Sequence, residues 1–410
     1  MDTSVQDQGV RGSPIEICGV TFEAHTAGFA DAVAVAHATR RRPRCLCRPE
    51  GVEMYVARLG EGYIVKRMPE TGFLHAPECP SYESTSEASG RGPMLGLAIR
   101  EDPDTGRTTL RLDFSLSTGV GRAGTPRVDA QASTAKSRCS RMSLRGLLHY
   151  LWDQAGLTRW QPGFAGKRTW GVVRRRLREA AASHTANGQV LQDRLYVPEP
   201  FFADQWGEIR ARRSIQWSAA VEGHGTCRPR MLLVAELKEL AAARHGFKAT
   251  VKHAPDLGFM LDEQLFRQVG RKFERQLAFW GAHDDVRMVI IGTFSVSPSG
   301  VPLLAEVSVM PATRDWLPVE GAFEKVLVER LVAEERCFLK SLRYDLRAEV
   351  QLAAATLTDC GQPAPLLSIA TEPSPETFAC DGPGSMREVR WTWFALEGTM
   401  PPLPLPRRLS

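Results

Sequence analysis

Three thiols and one imidazole stand at the two ends of a 27-residue interval: Cys45-Leu-Cys47 before it and His75-Ala-Pro-Glu-Cys79 after it. These are the ligand types and the ligand number of a closed tetrahedral Zn2+ site. Four protein ligands leave no coordination position for water, so the ion would be structural and would substitute for a core that a small hairpin cannot build. The competing reading makes Cys45 and Cys47 an ordinary buried pair or a redox dithiol. Cys-x-Cys is tighter than the commoner Cys-x-x-Cys, and His25 or His37 could take one of the four positions.

A hairpin would bring the two ends together. Glu53 to Leu59 and Tyr63 to Met68 have strand composition and flank Gly60-Glu61-Gly62, a turn sequence. Upstream, Ile15 to Phe22 alternates as a strand and Phe29 to His37 suits a short helix, which Pro43 separates from the first cysteine. Nine scattered cysteines, an odd number, argue for metal binding or burial rather than a disulfide framework.

The second candidate chemistry is electrostatic. Between Lys136 and Arg178 stand eleven Lys and Arg against one acid, Asp153, so a chain of net charge +5 carries +10 here. Such a local excess is the footprint of a polyanion binder. Ser143 can cap a helix with the apolar stripe Leu144, Leu147, Leu148, Leu151, Trp152 and Ala155. Thr169 can cap a second that turns Trp170, Val173, Leu177 and Ala180 inward. Lys167, Arg168, Arg174, Arg175, Arg176 and Arg178 are then the expected contacts to nucleic-acid phosphates, with DNA as the expected partner. The alternative is a plain solvated helix face. A strand over Val190 to Val197 would complete a winged-helix-like unit.

A third possibility is catalytic. Glu236-Leu-Lys238, at the end of an apolar run, has the form of half a restriction-endonuclease-like site, in which a carboxylate binds a divalent ion and the lysine stabilises developing charge. It needs a further acid upstream, for which Glu222, Glu208 and Asp204 are candidates, none in a recognisable setting. A similar hairpin at Thr358-Asp359 and Leu367-Ser368-Ile369 has serine where the second carboxylate belongs. No phosphate loop, His-Glu-x-x-His or Gly-x-Ser-x-Gly motif occurs. No catalytic residue is therefore assigned.

The expected architecture is α+β and multi-domain, from a chain of ordinary globular composition. Residues 1–117 form an N-terminal domain holding a zinc-ribbon-like module at 43–80. Residues 118–141 are a linker and 142–200 the basic helical segment; residues 201–400 form a mixed α/β domain, before a Pro-rich tail at 401–410. In the last domain, Met231 to Leu237 reads as a buried strand and Leu265 to Trp280 as one helical stripe. Arg287 to Val296 and Val301 to Met310 form a hairpin about Ser297-Pro298-Ser299-Gly300. No run of about 18 apolar residues and no leader pattern is present, so the expectation is a cytoplasmic protein with no membrane partner.

Cys45, Cys47 and Cys79, the segments Leu-Trp152-x-x-Ala-Gly-Leu157 and Gly166-Lys-Arg-x-Trp170, and Phe338-Leu-Lys340-Ser-Leu-Arg343-Tyr344-Asp345 together resemble one family. It is a bacterial family of unknown function, of about this length, with three cysteines toward the N-terminus. The resemblance spans most of the chain and implies a proteobacterial protein often carried on plasmids and integrative conjugative elements; it implies no activity. The expected function is a zinc-binding, nucleic-acid-associated accessory protein of a mobile element. A divalent-metal nuclease and a zinc-dependent protein-interaction scaffold are the alternatives.

Overall fold

A computed structural model describes residues 12–23, 26–59, 62–85, 88–103, 105–119, 140–221, 227–371 and 389–407. Most of the expected linker, the turn residues Gly60 and Glu61, His25, Glu222 and the start of the strand expected from Glu388 lie outside the described residues. The fold class is α+β.

The first sheet is an antiparallel five-strand array in the order β2-β1-β3-β4-β5: β1 Ile15–Ile17, β2 Val20–Phe22, β3 Arg44–Cys45, β4 Val52–Leu59 and β5 Gly62–Arg67. The expected hairpin is present, with Met54 opposite Arg67 and Val56 opposite Val65. It is not free-standing, because β3 joins it to β1 and helix α1 (Phe29–Ala38) packs Val33 and Ala36 against Ile17 and Val56.

Period-2 alternation along Met231–Ala242 builds the centre of the molecule. Strands β14 (Met231–Ala242), β15 (Phe247–Val251), β16 (Gly258–Leu261), β18 (Pro302–Ala312) and β17 (Arg287–Val296) pair in that order, and β17 pairs back to β14, closing a small barrel. Met231, Leu233, Ala235 and Leu237 point inside with Met288, Ile290 and Phe294, while Leu232, Val234, Val289 and Ile291 point outward into a second core. The apolar stripe expected to be one helix is two, α6 (Glu263–Lys272) and α7 (Glu274–Ala282), which change direction at Phe273, a core residue.

The outer face of the barrel is covered by helices α2 (Leu144–Gln154) and α3 (Trp170–Ala182), both capped as the sequence indicates: Ser143 accepts from Gly146 N and Thr169 from Val172 N. Leu147, Leu148, Leu151, Trp152, Val173 and Leu177 share one core with Leu232 and Ile291, so packing runs unbroken across residue 200. The strand expected at Val190 to Val197 is interrupted. β11 (Gln189–Val190) gives way to a helical turn, α4 (Leu191–Arg194), before β12 (Leu195–Tyr196), because Leu191 and Leu195, four apart, both bury.

A four-strand sheet, β11-β10-β7-β6, pairs β6 (Ile99–Asp102), β7 (Arg107–Leu110) and β10 (His184–Ala186) beside α3. β8 (Ser117–Gly119) and β13 (Cys227–Pro229) form a separate ribbon. The last sheet runs β22-β21-β20-β19-β9, from β9 (Arg159–Trp160), β19 (Phe338–Lys340), β20 (Ala355–Leu357), β21 (Leu366–Ala370) and β22 (Arg390–Phe394), with α8 (Ala322–Ala333) packed in its core. Helix α5 (Trp206–Trp217) sets Trp217 against the barrel residues Phe259 and Phe294. The Pro-rich segment is docked: Leu403 is buried and Trp391 Nε1 donates to Pro402 O at 2.9 Å.

Gly106 marks the meeting of the first two sheets. Its φ of +70° disfavours any side chain, and a Cβ there would collide with the backbone of Ala57 in β4. Gly106→Ala should lower stability by about 2–3 kcal/mol, read as a lower urea midpoint at unchanged slope.

Candidate metal centre and basic groove

β3 carries Cys45, paired with Ile15 on one side and Val52 on the other, and Cys47 follows two residues later. After β5 the chain turns through Gly72–Leu74 to His75, and a tight turn, Cys79 N to Ala76 O at 2.9 Å, delivers the third cysteine. The four ligand atoms lie within 4.8 Å of one another. Cys45 Sγ to Cys79 Sγ is 3.7 Å, Cys47 Sγ to His75 Nδ1 is 3.4 Å and Cys79 Sγ to His75 Nδ1 is 3.7 Å. With metal–sulfur bonds of about 2.3 Å and a metal–nitrogen bond of about 2.0 Å, a tetrahedron has edges of about 3.8 Å (S to S) and about 3.5 Å (S to N). The cluster has the dimensions of such a shell and could hold a metal ion.

Local donors suit anionic sulfur. Ala76 N points to Cys47 Sγ at 3.5 Å and Ser81 N to Cys79 Sγ at 3.4 Å. Hydrogen bonds from Cys45 and Cys47 hold the Cys79 thiol far below its ordinary range, and Cys45 is correspondingly pushed up by its bonds to Cys47 and Cys79. Burial opposes charge on His75, yet bonds to the Cys47 and Cys79 sulfurs raise it to about 9. His75 Nε2 is buried without a partner, which leaves Nδ1 as the nitrogen engaged with the sulfurs. The surrounding core is small, with Val52, Met54, Tyr82 and Ala364 the chief buried neighbours, so the cluster sits where apolar packing alone is thin.

The basic residues separate into two groups. Arg174, Arg175 and Arg178 of α3 line one open groove of about 860 Å3 together with Arg58 of β4 and Arg107 of β7, and among the described residues Glu179 is the one acid in its wall. Arg174 also donates to Val197 O at 3.1 Å and faces Glu199 at 3.6 Å; Arg175 lies 3.9 Å from Glu179. Arg168 is elsewhere. Its guanidinium is held over the rings of Trp160 and Phe164, donates to the carbonyls of Leu157 and Arg159, and is lowered to about 10 by burial, which makes it a packing residue. Lys167 is exposed on the preceding turn, and Arg176 is half-buried on α3 outside the groove. Arg58 and Arg107 escaped the sequence reading because they are single strand arginines far from the basic run. Only the parallel pairing of β7 with β10, at the end of α3, brings Arg107 there.

Glu236 is buried between two cations, Arg287 Nη1 at 2.9 Å and Lys252 Nζ at 2.6 Å, with the ring of His253, whose pKa burial lowers, at 3.8 Å. Lys238 is exposed. Asp359 receives Arg336 through both oxygens and Cys337 N at 3.0 Å. Among the described residues, the one group of three or more His, Cys, Asp or Glu with converging ligand atoms is the Cys45 cluster, and neither Glu236 nor Asp359 is part of it. Among those residues, too, no helix is long and apolar enough to cross a membrane.

No curated protein matches the chain, and no solved structure does. Residues 15–394 match the family described as "Protein of unknown function (DUF1173)", a span that takes in the cysteine cluster, the arginine groove and all five sheets, and the chain belongs to that family.

Proposed function

We propose that this protein is a zinc-stabilised nucleic-acid-binding accessory protein, with a structural Zn2+ on Cys45, Cys47, His75 and Cys79 and DNA phosphates held in the arginine groove. Three thiolates and an imidazole favour zinc over harder ions, and a shell of four protein atoms has no open position for catalysis. The ion ties the β3 end of the first sheet to the chain leaving β5. Arg58 of that same sheet then stands opposite α3 across the groove.

The observation that carries the nucleic-acid reading is the convergence of five arginines from two sheets and one helix on a single concave wall with one carboxylate among the described residues. A concave positive surface attracts a phosphate backbone and reads no bases, so binding should be salt-dependent and indifferent to sequence. The resemblance to a family often carried on plasmids and conjugative elements fits a role in handling the DNA of a mobile element in the cytoplasm. Replacing Arg107, Arg175 and Arg178 together by Ala should weaken binding of a DNA duplex at least tenfold. It should also reduce the slope of log K against log salt by about 2–3 in magnitude. Equal affinity and equal slope for variant and wild type would reject the groove.

A further inference from the structure

A separate cavity of about 390 Å3 lies between the metal-cluster loop and the main body, within the size range of small-molecule sites. Its wall is assembled from the chain after Cys79, from the C-terminal end of α2, and from β19 with the residues that follow. The segments around Trp152 and Lys340 that stood out in the sequence meet here. Three guanidiniums line it, those of Arg67, Arg91 and Arg159, with two half-buried carboxylates, Glu83 and Asp153.

The two acids are already paired. Glu83 accepts from both Arg67 and Arg91, with Arg91 Nη1 at 2.7 Å from Oε1. Asp153 accepts from Thr158 Oγ1 at 2.9 Å and Tyr344 OH at 3.3 Å, and lies 3.5 Å from Arg91. Of the other charged groups in the wall, Lys340 pairs with Glu324 at 3.1 Å and Glu70 is exposed.

Arg159 is different. Its Nη2 donates to two backbone carbonyls, Pro80 O at 3.2 Å and Tyr82 O at 2.8 Å, and among the described residues it has no carboxylate at ion-pair distance and no other acceptor. Burial pushes its guanidinium down from the ordinary range. A partly buried guanidinium with no carboxylate at ion-pair distance feels Cys79, Glu83 and Asp153 only as more distant charges, and an anion that fills the cavity can take the rest of its fork.

We propose that this cavity binds a small molecule bearing a phosphate or carboxylate group, with Arg159 as the residue that holds the anion. Such a ligand would sit against the backbone that Arg159 fixes just after Cys79, and so would bind the metal-cluster loop to the body. The site is independent of the groove and of the DNA reading.

The test uses the full, zinc-loaded chain and two probes, inorganic phosphate and succinate, titrated by calorimetry. One of the two should saturate at one per chain, and Arg159→Gln should weaken it at least tenfold while the zinc content stays unchanged. Which probe saturates identifies the anionic group. Arginine modification by phenylglyoxal, mapped by mass spectrometry on the unaltered protein, gives a readout that does not depend on the variant folding. The saturating probe should protect Arg159 and leave Arg175 and Arg178 reactive. Absence of saturable binding by both probes, an unchanged affinity in Arg159→Gln, or protection confined to Arg175 and Arg178 would overturn the proposal.

Discussion

Cys79→Ser will empty the metal site and unfold the first sheet while the body stays folded. A structural zinc bound by cysteine and histidine contributes about 10–16 kcal/mol of apparent binding energy, far more than the handful of apolar side chains around this cluster. Serine keeps the volume but supplies no thiolate, and the remaining three ligands cannot close the shell. The nine tryptophans begin at Trp152, so their emission reports only on the barrel and the sheets behind it. The variant should show tryptophan emission like that of the parent, loss of bound metal, and new proteolytic cuts between residues 12 and 83. Cys18→Ser, at an exposed cysteine outside the cluster, should show none of these changes. Wild-type protease resistance in metal-free Cys79→Ser would mean that the sheet does not depend on the ion.

The second large effect is acid lability from two buried histidines. Burial lowers His149 to about 3, where its Nδ1 accepts from Tyr344 N at 2.9 Å. Burial also lowers His184 to about 4, where it lies between Tyr150 OH at 2.7 Å and Ala180 O at 2.5 Å. Both are neutral when folded and take up a proton on unfolding below pH about 6.5. The unfolded chain then binds more protons, so stability rises with pH in that window. The stabilisation is fully present above about 6.5 and is lost progressively as pH falls toward 3–4, on the order of 4 kcal/mol for His149 alone. His149→Asn places a non-titrating acceptor opposite Tyr344 N. Its stability should fall less steeply between pH 6 and 4, by nearly one proton per chain, in denaturant unfolding at fixed zinc. Identical slopes for the two proteins would show that His149 is not buried neutral.

Local chemistry was readable from sequence where its partners are close along the chain. Cys45, Cys47, His75 and Cys79 fall at the ends of a hairpin, and a hairpin returns its ends to one place. Ser143 and Thr169 cap the two helices they precede, because a cap needs only its own first turn. The Ser297 to Gly300 turn likewise joins β17 and β18. Closure of the barrel was not readable, since the pairing of β14 with β17 runs from Leu237 opposite Met288 to Met231 opposite Phe294, residues far apart along the chain, and alternation gives a strand's faces, not its neighbours. The arginine groove was half readable for the same reason. α3 advertises its arginines in one run, whereas Arg58 and Arg107 arrive by tertiary pairing. The packing of Arg168 on Trp160 and Phe164 is not legible in the sequence, because those rings lie just upstream in a loop whose fold the sequence does not specify. Glu236 and Lys238 resemble a catalytic pair only in one dimension: the fold surrounds the glutamate with Arg287, Lys252 and His253 and leaves the lysine exposed.

X-ray absorption at the zinc edge, with metal analysis of the purified protein, tests the central claim most directly. The proposed site predicts one zinc per chain with three sulfur neighbours at about 2.3 Å and one nitrogen at about 2.0 Å. A chain purified without metal, a disulfide between Cys45 and Cys79, or a zinc shell dominated by oxygen would contradict it.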